Sequence, residues 1–252
     1  MKYIKKDMPQ KIVIKLMLLI PASIALVCFN ANALKFKLSQ QEFDSWDMRC
    51  KAYYVMTDYG AISGFKKDVP KFEYDKWDAI KKIRSTGPWH YCSSLIWIRR
   101  AKTAKTVDIK EEYYRRALSS AQWTYARIDP AQPWSAEMAV TIGTIYQALE
   151  EFKLAHQIFD QSIQSHADYI PAYAAKSILF RKQGKLNKAI NVLEQVVKRY
   201  DLKSPEIFYF LGLFHFENNN FESAALYGKQ AYQLGYPLPA LRIKLKEQGY
   251  NI

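Results

Sequence analysis

The side chains able to do chemistry are few, and the cysteines are the most informative of them. Cys50 and Cys92 both fall on predicted helices about 40 residues apart. In an oxidising compartment an even pair becomes a disulfide, and closing a loop of that length stabilises by roughly 3–4 kcal/mol in the chain-entropy model. The competing chemistries are a metal site with His90 and a redox thiol. Two cysteines and one histidine lack a fourth zinc ligand, and no Cys-x-x-Cys is present. The histidines His90, His156, His166 and His215 are scattered. There is no His-Glu-x-x-His, Gly-x-Ser-x-Gly or Gly-rich phosphate loop. Catalytic, cofactor-binding and metal residues are therefore not expected. The remaining charged feature is Lys66, Lys67, Lys71, Lys76, Lys81, Lys82 and Arg84, which reads either as an anion-binding surface or as a solvated face. It carries no nucleic-acid recognition motif, and no nucleic-acid partner is expected.

The first 33 residues fit a secretory signal. Five lysines open it, residues 16–29 are apolar, and Ala31-Asn32-Ala33 offers small residues for cleavage. The apolar run of about 14 residues is short of the ~20 that a membrane helix needs, and Pro21 interrupts it. Cys28 belongs to the discarded segment on this reading. An exported, periplasmic protein starting at Leu34 is expected, the alternative being an anchor through an uncleaved signal.

Charge and tryptophan divide the remainder. Residues 34–135 hold 19 Lys/Arg against 12 Asp/Glu, whereas 136–235 hold ten of each. Trp46, Trp77, Trp89, Trp97, Trp123 and Trp134 all precede the balanced segment. A basic, Trp-rich helical subdomain is expected over 34–135, ending at Asp129-Pro130-Ala131-Gln132-Pro133, where two prolines break the pattern. Within it, helices are predicted from the Ser39-Gln40-Gln41-Glu42 capping box to about Thr57, from Tyr74 to Ser85, from Pro88, and from Asp108 to Ile128. Residues 60–72 read as a loop. The last two helices could form a degenerate hairpin, with Ala117 and Ala121 as small contacts.

The strongest signal is repetition. Ala155, Ala189 and Ala224 are 34 and 35 residues apart. Twelve residues before each stands a small residue, Gly143, Ser177 and Gly212; nine before stands a ring, Tyr146, Phe180 and His215. Small residues in phase allow close helix approach, and large ones fill the space between hairpins. Three helical hairpins are predicted, over about 136–169, 170–204 and 205–238. A capping helix and tail follow over 239–252, with Leu241 and Leu245 facing inward.

Residues 136–238 resemble the tetratricopeptide repeat family. The departures are Ala167, Asp201 and Tyr236 at the usual proline, Lys176 at a usual leucine, and Gly228 at a large residue. The resemblance implies an all-α solenoid of hairpins whose first helices line a concave groove. It assigns to that groove Val140, Thr144 and Gln147, then Ala174, Ile178 and Arg181, then Tyr209, Leu213 and Phe216. Members that grip a C-terminal carboxylate use Lys, Asn and Arg, whereas the matching slots here hold Val140, Thr144, Ala175, Glu206 and Phe210, so that mode is not expected. The implied function is a non-enzymatic scaffold or adaptor that binds a protein or peptide in the cell envelope. The alternative is an envelope assembly or polymer-handling factor, its basic half contacting anionic polysaccharide or lipid. An enzyme in the Trp-rich half finds no residues that meet a catalytic geometry.

Overall fold

A computed structural model describes residues 36–78 and 86–252. The expected signal (1–33), including Cys28, and the cations Lys81, Lys82 and Arg84 lie outside the described residues. From Leu38 to Ile252 the chain forms one compact unit, in which every regular element among the described residues is helical. No helix of the described residues is long and apolar enough to cross a membrane.

Four helical hairpins follow one another: α5 (Pro88–Lys102) with α6 (Val107–Tyr125), α7 (Pro133–Ala148) with α8 (Phe152–Ser165), α9 (Ile170–Lys182) with α10 (Leu186–Tyr200), and α11 (Pro205–Glu217) with α12 (Phe221–Gln233). The degenerate hairpin considered for residues 88–128 is thus formed. Each first helix opens with proline in its first turn: Pro88, Pro133, Pro171 and Pro205. There its fixed φ suits the helix and its missing N–H is not needed.

Turns in the last three hairpins share one device. Glu150, Gly184 and Asn219 adopt left-handed backbone at φ 61°, 71° and 59°. The next amide then donates back to a carbonyl five residues earlier: Glu151 to Tyr146, Lys185 to Phe180 and Asn220 to His215, each at 2.9 Å. This is the Schellman closure, which satisfies a carbonyl the helix end would leave open. The acceptors are the three ring-bearing repeat positions, so the repeat fixes backbone and side chain together.

The small positions are contact points. Ala155, Ala189 and Ala224 are fully buried. A Cβ on Gly143 would lie 2.3 Å from Phe159 Cε1, so a larger residue there would have to displace the fully buried Phe159 ring. One apolar core runs from α9 through α12 to α13 (Ala240–Glu247), where Leu241 and Leu245 are buried. A smaller core of Ala155, Phe159 and Leu179 joins α8 to α9.

The N-terminal lobe departs from expectation. In place of one helix to Thr57 there are α1 (Gln40–Asp44) and α2 (Met48–Val55). Asp47 caps α2 by accepting from the Cys50 amide at 2.7 Å, and the turn swings Trp46 inward to donate to the Cys92 carbonyl at 3.0 Å. The stretch read as a loop contains α3 (Asp58–Ile62), capped by Thr57, and a 3-10 turn over Phe65–Asp68. The following helix, α4 (Lys71–Asp78), begins three residues earlier than predicted. Phe43, Trp46, Tyr54 and Phe65 form the lobe's aromatic core, with Phe43 stacked on Phe65 at 4.4 Å.

Candidate functional site

Across successive hairpins the first helices pack on each other, α7 on α9 and α9 on α11, more closely than the second helices do. The array therefore curves with its first helices inside, and their free stripes make the inner surface. Thr144 and Arg181 are exposed there, and Val140, Gln147, Ile178, Leu213 and Phe216 are half-buried. Two expected groove residues are not available. Ala174 is 8% and Tyr209 7% exposed. Tyr209 is stacked on Tyr236 at 4.1 Å, so this ring belongs to the core beside the groove.

The apolar part of the surface is consequently smaller than expected, and the cations Lys176, Arg181 and Lys182 are held by partners within the chain. Arg181 grips Glu217 through two bonds of 2.6 and 2.5 Å, linking α9 to α11. Donating to the Glu217 carboxylate raises the Arg181 pKa further, despite partial burial. Lys176 pairs with Asp160, and Lys182 donates to the Gln147 carbonyl at 3.0 Å. Phe216 packs against Phe221 at 5.2 Å and lies under the Lys244 ammonium.

A second polar constellation is invisible to sequence reasoning. Arg49 on α2 forks onto Glu137 on α7 at 2.8 and 3.2 Å and lies 4.4 Å above the Trp134 ring. The Tyr91 hydroxyl donates to the same carboxylate at 2.9 Å and touches Thr141 at 3.0 Å. Burial drives the Tyr91 pKa well upward, so its proton stays available for that bond. A separation of 88 residues leaves no local sequence signal for such a pair.

The Cys50–Cys92 bond is present, with Cα atoms 5.4 Å apart and both residues fully buried. The anion-binding cluster fares differently. Lys66, Lys67 and Lys71 are exposed, but Lys71 pairs with Asp75 at 2.6 Å, and Asp68 and Glu73 stand among them. Within the described part of the cluster these carboxylates offset the lysines, and Lys66 and Lys67 stand in no ion pair of their own among the described residues. His90 is sandwiched between Trp89 at 3.9 Å and Trp123 at 4.2 Å. Burial, aided by Arg127, lowers its pKa to about 4 and keeps it neutral. His215 is buried and stacked parallel to Tyr227, in the packing role expected for it. A cleft of about 280 Å³ between α2 and α5 is lined by Tyr53, Met56, Thr57, Gly87, Pro88, Trp89 and Trp123. These supply no acid–base pair.

The tetratricopeptide repeat family model matches residues 174–236. Among solved structures, the thermophilic TPR protein TTC0263 of Thermus thermophilus is 15% identical, with a TM-score of 0.46 over 63% of this chain and 90% of that one. MamA is 16% identical, with a TM-score of 0.41 over 68% of this chain and 96% of that one. No curated protein matches the sequence. The chain is thus similar to the tetratricopeptide repeat family over residues 174–236, a segment set within an all-α, tetratricopeptide-like solenoid of hairpins.

Proposed function

We propose that the protein is a non-enzymatic scaffold that binds a protein or peptide on the inner surface of its solenoid. Tetratricopeptide folds generally serve protein–protein interaction. The observation that carries the reading is the inner stripe itself. Ile178, Leu213 and Phe216, on successive first helices, keep part of their apolar surface in water along one stripe. Half-exposed apolar groups on rigid helices are what a docking segment can cover without an ordering cost to the scaffold. We also propose export to an oxidising compartment, the periplasm, supported by the signal-like N-terminus and by the buried disulfide.

The test is a double substitution, Ile178→Asp with Leu213→Asp. It should abolish co-purification of whatever protein the wild type captures, while the array stays helical by circular dichroism. Unchanged capture by a folded variant would place binding elsewhere. N-terminal sequencing of the native protein beginning at Met1 would exclude cleavage.

A further inference from the structure

The inner surface already holds one helix, and it is the chain's own. α2 makes its cross-lobe contacts on first helices: the disulfide to α5, the Arg49 fork to Glu137 on α7, and Tyr53 stacked on Trp134 of α7 at 5.8 Å. It presents Arg49 and, one turn later, Tyr53, so a guanidinium lands on a carboxylate while a ring covers the adjacent aromatic.

The carboxylate of that register recurs two hairpins on, with Lys203 in the place of Trp134. Glu137 stands six residues before Gly143, and Glu206 stands six before Gly212. Glu206 shares a stripe of α11 with Phe210, Leu213 and Glu217, one turn apart. Its carboxylate is exposed and, among the described residues, has no cationic partner. Capping does not consume it, because Ser204 accepts from the Ile207 amide instead. Tyr236 is close enough to feel its charge and is half-buried, with one face on Tyr209. The neighbouring charges Arg181 and Glu217 neutralise each other, leaving Glu206 as the unmatched charge of this stripe.

Resting on the reading of the inner surface as a protein-binding site, we propose that Glu206 receives an arginine from a partner helix, as Glu137 receives Arg49 from α2. The partner segment is an α-helix with an arginine and apolar or aromatic neighbours one turn away, seated along α9 and α11. This continues, in trans, the interface that α2 makes in cis.

The experiment titrates the full chain with arginine amide and follows amide resonances by NMR. Lysine amide serves as the second probe. Glu222 is the internal control, since it lies exposed in the first turn of α12. Shifts at residues 206–208 and 236 should report binding roughly five-fold tighter than at Glu222, an advantage at the upper end of exposed ion pairs. They should vanish in Glu206→Gln, and lysine amide should bind more weakly because it cannot form the fork. Equal shifts at Glu206 and Glu222, equal binding of the two probes, or persistence in Glu206→Gln would each overturn the proposal. The titration needs no partner, so its failure leaves the outcome of the Ile178 and Leu213 substitutions untouched, and the two readings fail separately.

Discussion

Tyr209→Ala separates groove from core more sharply than any other single change. The family pattern places Tyr209 on the binding face, where truncation should spare stability. The structure places its ring 7% exposed and stacked on Tyr236 at 4.1 Å. Removing a buried aromatic typically costs about 3–5 kcal/mol, as lost transfer energy plus the cavity left behind. Because Tyr236 is itself half-buried and can relax into the space, about 3 kcal/mol is the expected loss. Of this, ~1 kcal/mol is the ring pair itself. Urea unfolding followed by circular dichroism would show it as a lower midpoint. Repeat arrays need not unfold in one step, so hydrogen exchange in α11 and α12 should accompany it. The comparison is Thr144→Ala on the exposed stripe, expected to stay within about 0.5 kcal/mol. A Tyr209→Ala protein as stable as Thr144→Ala would refute the burial argument and return the ring to the groove.

Three further outcomes follow from particular residues. Glu150 holds a left-handed turn that costs a side-chain-bearing residue about 1 kcal/mol, so Glu150→Gly should raise the midpoint of thermal unfolding. A lowered midpoint would mean that its carboxylate, 3.7 Å from Lys182, matters more than its backbone. Replacing both Cys50 and Cys92 by serine opens a loop of 42 residues and should cost about 4 kcal/mol. Faster hydrogen exchange should appear first in α1 to α4; loss confined to α9–α12 would contradict the assignment. His90 has a folded pKa of about 4, below its ordinary 6.5. Its contribution is therefore whole above pH 6.5 and lost as pH falls toward 4. Discounted for partial exposure it amounts to about 1–2 kcal/mol. His90→Asn should flatten that part of the pH–stability profile, and an unaltered slope would show that the stack tolerates imidazolium.

The repeats are legible in the sequence because the constraint is local and periodic. A spacing of 34 and 35 residues between alanines, small residues and rings states where helices touch and where turns close. Leu241 and Leu245 are legible for the same reason, as the inward stripe of a final helix. Other features depend on residues far apart. The break between α1 and α2 follows from Trp46 reaching the Cys92 carbonyl, a contact that a capping box at Ser39 cannot announce. The α5–α6 hairpin escapes the period because its connection, Thr103 to Thr106, lacks the left-handed closure of the later turns. Tyr209 leaves the groove because its burial is decided by Tyr236, a residue beyond the end of α12. Arg49 and Glu137 sit on different lobes, and helix periodicity carries no trace of a pair between them.

Whether the inner surface binds a partner protein is read out by placing a photo-crosslinking amino acid at single positions in the native chain. Thr144, Ile178 and Leu213 report on the inner stripe, and Lys188 and Gln195 on the exposed side of α10. Adducts to one partner from the first set, and none from the second, are the predicted result. Adducts from Lys188 and Gln195, with none from Thr144, Ile178 or Leu213, would contradict it.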